Sequence, residues 1–506
     1  MRAGIVRWGV GLALLLAGAA ATAWSALVQT SAPAQRDGPD HPVDARASDP
    51  RDISAQNSPT VVRNPRDPRQ VVVANRIDTP DFSCRVHVSA DGGARWRPLA
   101  VPIPAGEGRK CYAPDAAYGP DGTLHVSYVT LHGLGNTPRA LWATSSRDGG
   151  RTLGPPRKVA GPLAFQARLA ADPTAAGRLY ATWVQAREVG NLKFTAPGNP
   201  ILLSASGDGG ATWSPPVQVS DPRRGRVLAP SAAVGPRGEV YVLYLDVGDD
   251  RLDYEGAHEN EGGPPYPGRF TLVVARSLDR GRTWEESVVD DRVVPVERFI
   301  PFLAPFPSLA VDPRSGRLYV AFHDARLGDP DVWVWSLGSG DEQWTGPARV
   351  NDTPPRDGTW QYLPQLDVAP SGRLDVVYYD RRRDPRDVRN EVSLQSSFDD
   401  GRSFGAHATL SSRSFDSRVG FGSERGLATL GSRLGLASAD AGVLAAWSDT
   451  RAGTQASNKQ QVAAAVAVPA RRGVAAATAR SVGRAGFAVA LGGLAALALA
   501  AWPSRR

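Results

Sequence analysis

The sequence predicts an all-β fold: a β-propeller of four-stranded antiparallel blades, seven in number, with six as the alternative. The first observation behind this is a repeated Ser-x-Asp-x-Gly-x-x-aromatic box. It occurs as "SADGGARW" from Ser89, "SGDGGATW" from Ser206, "SLDRGRTW" from Ser277 and "SFDDGRSF" from Ser397. "SRDGGRTL" from Ser146 fits with Leu153 in the aromatic place. The starts at 89, 146, 206, 277 and 397 lie 57, 60, 71 and 120 residues apart. The last gap holds two steps, and "LGSGDEQW" from Leu337 fills its middle, keeping only Trp344 of the box. The second observation lies upstream of the boxes. An apolar pair, a turn with Pro or Gly and an alternating apolar run recur seven times, from "VVRNPRDPRQVVVAN" through "LAVDPRSGRLYVAF" to "LASADAGVLAAW". The third is composition: 53 Gly and 42 Pro among short apolar runs favour strands and turns over helices.

Each upstream pattern reads as a hairpin, and the box as the turn of a second hairpin. Two hairpins make a four-stranded sheet, and seven such units stacked radially make a propeller. In the box, Ser and Asp cap turn N–H groups, Gly supplies a positive φ, and the aromatic ring packs between sheets. A structural role therefore falls to Ser89, Asp91, Gly93 and Trp96; Ser206, Asp208, Gly210 and Trp213; Ser277, Asp279, Gly281 and Trp284; and Ser397, Asp399, Gly401 and Phe404. A second local theme, Asp followed two residues on by Arg (Asp324/Arg326, Asp380/Arg382, Asp449/Arg451), recurs in three consecutive units and reads as loop ion pairs.

Outside the repeats, residues 1–30 carry Arg2 and Arg7 before an apolar run and read as a signal peptide or N-terminal anchor. Residues 31–58 are polar and aperiodic, a disordered spacer before a propeller at 59–469. A stalk at 470–484 leads to an apolar transmembrane helix at 485–502 and a cytoplasmic tail at 503–506. This organisation predicts an exported, membrane-anchored monomer with its propeller outside the cytoplasm. Cys84 and Cys111, the two cysteines of the chain, then pair as a disulfide in that oxidising compartment. The net charge of +7 does not imply a nucleic-acid partner. Eight of the 58 Lys and Arg lie in the terminal segments, which leaves 50 against 51 acids between them.

The boxes resemble the Asp-box, or bacterial neuraminidase, repeats of the sialidase-like superfamily, over roughly Pro59 to Val468. That resemblance implies a propeller whose boxes lie at the periphery and whose function lies in a central pocket. Sialidase chemistry requires arginines that fork onto a sugar carboxylate, a Tyr activated by Glu, and an Asp acid/base. The family's first arginine precedes the first strand in an aromatic-Arg-Ile-Pro motif, where this chain reads "AQNSPTVV". The segment "VVVANRIDTPDFSCRVHVSADGG" resembles the one that carries the acid/base Asp. It implies Asp81, with Asp78 the less favoured counterpart and Arg76 nearby. Tyr362 in "TWQYLPQL" is the candidate nucleophile. Arg168, Glu297, Arg298 and Glu424, at comparable strand entrances, are its candidate partners.

One feature does not repeat: the insertion "LDVGDDRLDYEGAHENEGGPPYPG" from Leu245 to Gly268. Its acids, among them Asp249, Asp250, Asp253 and Glu255, are hard oxygen donors suited to Ca²⁺, to a polar ligand pocket, or to a solvated loop. Scattered histidines and the lack of a phosphate-cradling loop or nucleophile elbow exclude the other common chemistries. Two functions remain: a surface module that binds glycans or proteins, and an exo-sialidase-type glycoside hydrolase with a diverged site.

Overall fold

All seven upstream patterns form antiparallel hairpins in the structure, a computed structural model. It describes residues 34–44, 49, 51–187, 198–250, 265–296, 306–420, 430–454, 456–457 and 459–468. Blade 1 comprises β2 (Gln56–Arg63), β3 (Val71–Ile77), β4 (Ser83–Ser89) and β5 (Arg97–Leu99). Blade 2 comprises β6 (Cys111–Tyr118), β7 (Leu124–His132), β8 (Thr137–Ser146) and β9 (Arg157–Ala160). Blade 3 runs through β10 (Ala164–Ala171), β11 (Leu179–Gln185), β12 (Ile201–Ser206) and β13 (Val217–Gln218). Blade 4 runs through β14 (Val227–Val234), β15 (Val240–Asp246), β16 (Phe270–Ser277) and β17 (Glu285–Val293). Blade 5 contains β18 (Ser308–Val311), β19 (Leu318–Asp324), β20 (Asp331–Leu337) and β21 (Thr345–Arg349). Blade 6 contains β22 (Gln361–Val368), β23 (Leu374–Asp380), β24 (Arg389–Ser397) and β25 (Ala408–Thr409), with β26 (Phe415–Asp416) also pairing β24. Blade 7 takes β27 (Gly435–Ser438), β28 (Val443–Asp449) and β29 (Gln461–Val468) from one end of this unit and β1 (Gln35–Pro42) from the other. The first strands β2, β6, β10, β14, β18, β22 and β27 touch in a closed cycle, so seven blades surround one axis.

The closing strand corrects the sequence reading. Residues 31–58 were expected to be a spacer, yet Gln35–Pro42 pairs with β29 and β2 begins at Gln56, so the propeller unit is Gln35–Val468. The reason is physical. β1 lies at a sheet edge with most residues exposed, so main-chain pairing holds it and no apolar alternation marks it. It is pinned by side chains as well: His41 Nε2 meets the Gly93 carbonyl oxygen at 2.7 Å, and Arg451 pairs with both Asp40 and Asp449. The other two Asp-x-Arg pairs follow the same scheme. Arg326 joins Asp324 and, at 3.0 Å, Asp290; Arg382 joins Asp380 at 2.6 Å and Asp352 at 2.5 Å.

The five boxes share one network. In the box of blade 3, Ser206 Oγ donates to Asp208 Oδ1 (2.8 Å) and accepts from Gly210 N (2.9 Å), while Asp208 Oδ1 accepts from Thr212 N (2.9 Å). The boxes from Ser89, Ser146, Ser277 and Ser397 repeat the Ser–Asp and Gly–Ser bonds. Gly281 shows why the fifth position is glycine: its φ is +84° and an added Cβ would lie 2.9 Å from Leu203 of the preceding blade. The ring then seals the gap, with Trp96 packed on the core of blades 7 and 1, Trp213 on that of blades 2 and 3, and Phe404 on that of blades 5 and 6. At the degenerate copy, Asp341 accepts from Gly338 N (3.1 Å) and Trp344 Nε1 still reaches across to Ser287 of blade 4 (2.7 Å).

A bulge recurs in the innermost strands. Ser58, Ala113, Gln166, Ala229 and Leu363 sit there with φ of 49° to 56°, each at a register shift against the second strand. Adjacent blades cap these bulges: Ala229 N donates to Gln166 Oε1 (2.7 Å) and Leu363 N to His323 Nδ1 (3.3 Å). His323 must stay unprotonated to accept that bond, and burial pushes its pKa down to about 3. Burial likewise lowers His125 to about 4, against the pull of Asp121. An unfolded histidine binds its proton near pH 6.5, so the unfolded state takes up more protons as pH falls from there to about 4. Asp367 acts in the opposite sense, since burial raises it to about 6 and its proton favours the folded state below that pH. Each histidine therefore contributes a fall in melting temperature between pH 6.5 and 4, opposed by Asp367 and by Asp324, Asp387 and Glu391, which burial also raises. Calorimetry on His323→Asn, which retains an acceptor for Leu363 N, should show a flatter fall; an unchanged slope would remove His323 from this account.

The proposed signal or anchor, stalk, transmembrane helix and tail lie outside the described residues. Among the described residues no helix is long and apolar enough to cross a membrane.

Candidate functional site

Two residues past each bulge the chain places a side chain toward the axis, and here the blades differ. The residues are Thr60, Asp115, Arg168, Ser231 and Gln365, with Arg433 at the same spacing from Gly431 (φ +89°) in blade 7. Four of them, from blades 7, 1, 2 and 3, bond to one another. Arg433 Nε donates to Thr60 Oγ1 (3.1 Å), and Thr60 Oγ1 donates to Asp115 Oδ1 (2.8 Å). Asp115 Oδ2 accepts from Leu169 N (2.8 Å) and forms an ion pair with Arg168 Nε (2.9 Å). Arg433 Nη2 reaches the Pro114 carbonyl (3.0 Å), and Arg168 and Arg433 flank the Phe306 ring at 5.8 Å and 5.9 Å. Residues four blades apart in sequence order meet this way only around the axis.

A second layer adjoins this one. Arg76 Nη2 donates to Asp78 Oδ2 (3.0 Å), its Nε lies 2.6 Å from Oδ1 in the same ion pair, and Asn57 Nδ2 donates to that carboxylate (2.8 Å). The Arg76 guanidinium lies 5.3 Å from the Tyr112 ring centroid, and Phe82 meets that ring edge-on at 6.3 Å. The disulfide sits directly behind. Cys84, the cross-strand partner of Arg76, is joined to Cys111, the neighbour of Tyr112, with an S–S distance of 2.14 Å. It ties blade 1 to blade 2 at the point where Arg76 and Tyr112 must stay together.

The electrostatics are unbalanced. Among the described residues, three guanidiniums, Arg76, Arg168 and Arg433, face two carboxylates, Asp78 and Asp115. Burial lowers the Arg433 pKa to about 9, and repulsion from Arg168 and Arg76 adds to this against the pull of Asp115. Its two hydrogen bonds go to neutral acceptors, so its charge is the one in excess. Burial also lowers Arg76, but Asp78 and Tyr112 more than offset it. Tyr112 is raised by burial, so at neutral pH it is a phenol and a donor.

Of the sequence candidates, Arg76 and Arg168 belong to this cluster and Asp81 does not. Asp81 is 75% exposed and pairs with Lys110 at 3.3 Å; Asp78, nearer in sequence to Arg76, takes the buried place. The difference follows from strand geometry, because Asp78 directly follows β3 whereas Asp81 lies at the tip of the turn to β4. Tyr362 also lies apart from this cluster. It is buried in blade 6, donates to Asn390 Oδ1 (2.7 Å), stacks with Tyr379 and Arg381, and is raised by burial. Glu297, Arg298, Glu424, Asp253 and Glu255 lie outside the described residues. Asp249 is fully exposed with Arg226 at 4.0 Å, Asp250 is buried, and among the described residues no group of three or more potential metal ligands occurs. Arg433, Asp115 and Tyr112 escaped the sequence reading. Alignment of the innermost strands on the bulge would have found Arg433 and Asp115, since the position two residues past it varies where its surroundings repeat.

No family model and no curated protein matches the chain. Solved structures similar to it include a protein of unknown function from Dyadobacter fermentans, 15% identical with a TM-score of 0.48, covering 87% of this chain and 100% of that one. A Hadza microbial sialidase is 16% identical with a TM-score of 0.42, over 80% of this chain and 75% of that one. An ulvan lyase of polysaccharide lyase family PL25 is 13% identical with a TM-score of 0.45, over 89% and 99%. The blade count and the site therefore rest on this chain's own topology and contacts.

Proposed function

We propose that this propeller binds an acidic glycan, a sugar bearing a carboxylate, at the axial cluster of Arg76, Arg168 and Arg433. The observation that carries the reading is the surplus guanidinium: among the described residues three converge on two carboxylates, and an incoming carboxylate balances the set. Arg433, whose charge is disfavoured without a partner, gains most from that ligand. Tyr112 and Phe306 supply the aromatic surface that a sugar ring uses. The propeller is placed outside the cytoplasm and tethered through residues 485–502, which agrees with a disulfide beside the site.

A second reading, an exo-sialidase-type hydrolase, is favoured by one observation. A tyrosine and an aspartate, Tyr112 and Asp78, adjoin the three arginines. Titration of the full chain with sialic acid and with the matching neutral sugar, alongside a fluorogenic sialoside, tests both. Binding of the acid alone, without turnover, supports the module; turnover lost in Tyr112→Phe and Asp78→Asn supports the hydrolase; equal affinity for acid and neutral sugars overturns both.

A further inference from the structure

Blade 4 ends unlike the others. The outermost strands β5, β9, β13, β21 and β25 are two to five residues long, whereas β17 has nine. A strand at a sheet edge presents alternate N–H and C=O groups outward, and short edges, prolines and charges are the usual protection. The eight-residue edge β1 contains Pro39 and Pro42, which interrupt pairing. β17 contains no proline, and among the described residues no strand pairs with its outer side.

Both faces of β17 open onto clefts. Glu286 and Val288 line one of about 1280 Å³ on the side of blade 3, and Val288 is 47% exposed. Glu285, Ser287 and again Glu286 line another of about 970 Å³ on the side of blade 5. That second cleft lies beside the degenerate fifth box, "LGSGDEQW", and the 70%-exposed Leu278 forms part of its wall. Along Glu285–Val288, before the register shifts at Val289 and beyond, a strand added to β17 would drop its side chains alternately into the two clefts, since successive residues face opposite sides.

We propose that β17 is a docking edge for an extended peptide with basic side chains at every second position. Charge decides the occupant. On β17 the exposed acids are Glu285 and Asp291 beside Arg292, while Glu286 and Asp290 are held by Arg224 and Arg326, so a second copy laid edge to edge would bring more acids than bases together. In the cleft toward blade 5, carboxylates outnumber arginines five to two, and Glu342 and Asp341 lie beyond the pairs Arg237–Glu239 and Arg276–Glu285. Lysines or arginines on that face of the peptide meet this excess, while apolar residues on the other face meet Val288.

The probe is a fluorescein-labelled (Lys-Val)4 peptide, titrated against the full chain by anisotropy. Its (Glu-Val)4 counterpart, and a (Lys-Val)4 analogue N-methylated along one edge, should each bind at least about tenfold more weakly. The exposed double variant Glu285→Lys/Glu342→Lys should lose about tenfold for (Lys-Val)4 and gain for (Glu-Val)4. Hydrogen exchange should slow in residues 285–293 when the peptide binds. Equal binding of the N-methylated analogue, indifference to the double variant, or protection elsewhere would overturn the proposal. So would a sedimenting dimer that protects 285–293, which would give the edge to a second copy.

Discussion

Replacing Arg433 by methionine is expected to weaken sialic acid binding at least about 100-fold while leaving the melting temperature unchanged or slightly higher. The two effects separate because the guanidinium costs folding and serves binding. It is buried, its pKa is pushed down to about 9, and Arg168 and Arg76 repel it. Methionine keeps the stem volume and removes that penalty, so Phe306 retains a packing partner. A bound carboxylate, by contrast, loses its best-placed counter-charge, and a truncated buried charge pair typically costs about 2–5 kcal/mol. Calorimetric titration paired with thermal melting reads both. Retained affinity in Arg433→Met would move the ligand away from the axis, and a collapse in melting temperature would make Arg433 a structural residue. Arg168→Met should also weaken binding, but it leaves Asp115 with one guanidinium fewer, so a stability loss should accompany it.

The second large effect concerns ring closure. Arg451→Ala is expected to destabilise the propeller by about 3–5 kcal/mol and to release β1 first. Arg451 is the cation between Asp449 of β28 and Asp40 of β1, whose side chains are 0% and 1% exposed. Without it, two buried carboxylates remain face to face, and detaching β1 is the cheapest way to separate them. Burial alone would raise Asp40; its hydrogen bonds to Arg451 and Ser412 instead hold it below the ordinary carboxylate value. Hydrogen exchange should therefore lose protection in residues 35–42 before any other strand, with Trp96 fluorescence changing alongside, because its indole meets His41 of β1 at 3.3 Å. Uniform loss of protection across all seven blades would show that closure does not depend on this contact.

Much of the architecture was legible because it repeats. The box at Ser206 is local chemistry: its Ser, Asp and Gly find their partners within five residues, so the same letters produce the same turn wherever they stand. The hairpins are nearly as local, which is why seven blades followed from seven patterns. The closing strand was not legible, since "QRDGPDHP" is held by β29 more than 400 residues away and has no buried face to impose a pattern.

The site divides along the same line. Arg76 and Arg168 could be singled out as charges at strand entrances, but Asp78 and Asp81 differ only in where the β3–β4 turn places them, and burial chose Asp78. Tyr362 carried every local sign of a site residue, yet it packs inside blade 6. Arg433 looked ordinary because its partners, Thr60 and Pro114, lie more than 300 residues upstream. The sequence by itself determined the repeating unit and its turns and favoured seven blades over six, since those depend on contacts between near neighbours. Only the tertiary structure decided which unrepeated side chains meet at the axis and which strand closes the ring, because ring closure brings distant residues together and no local pattern records it.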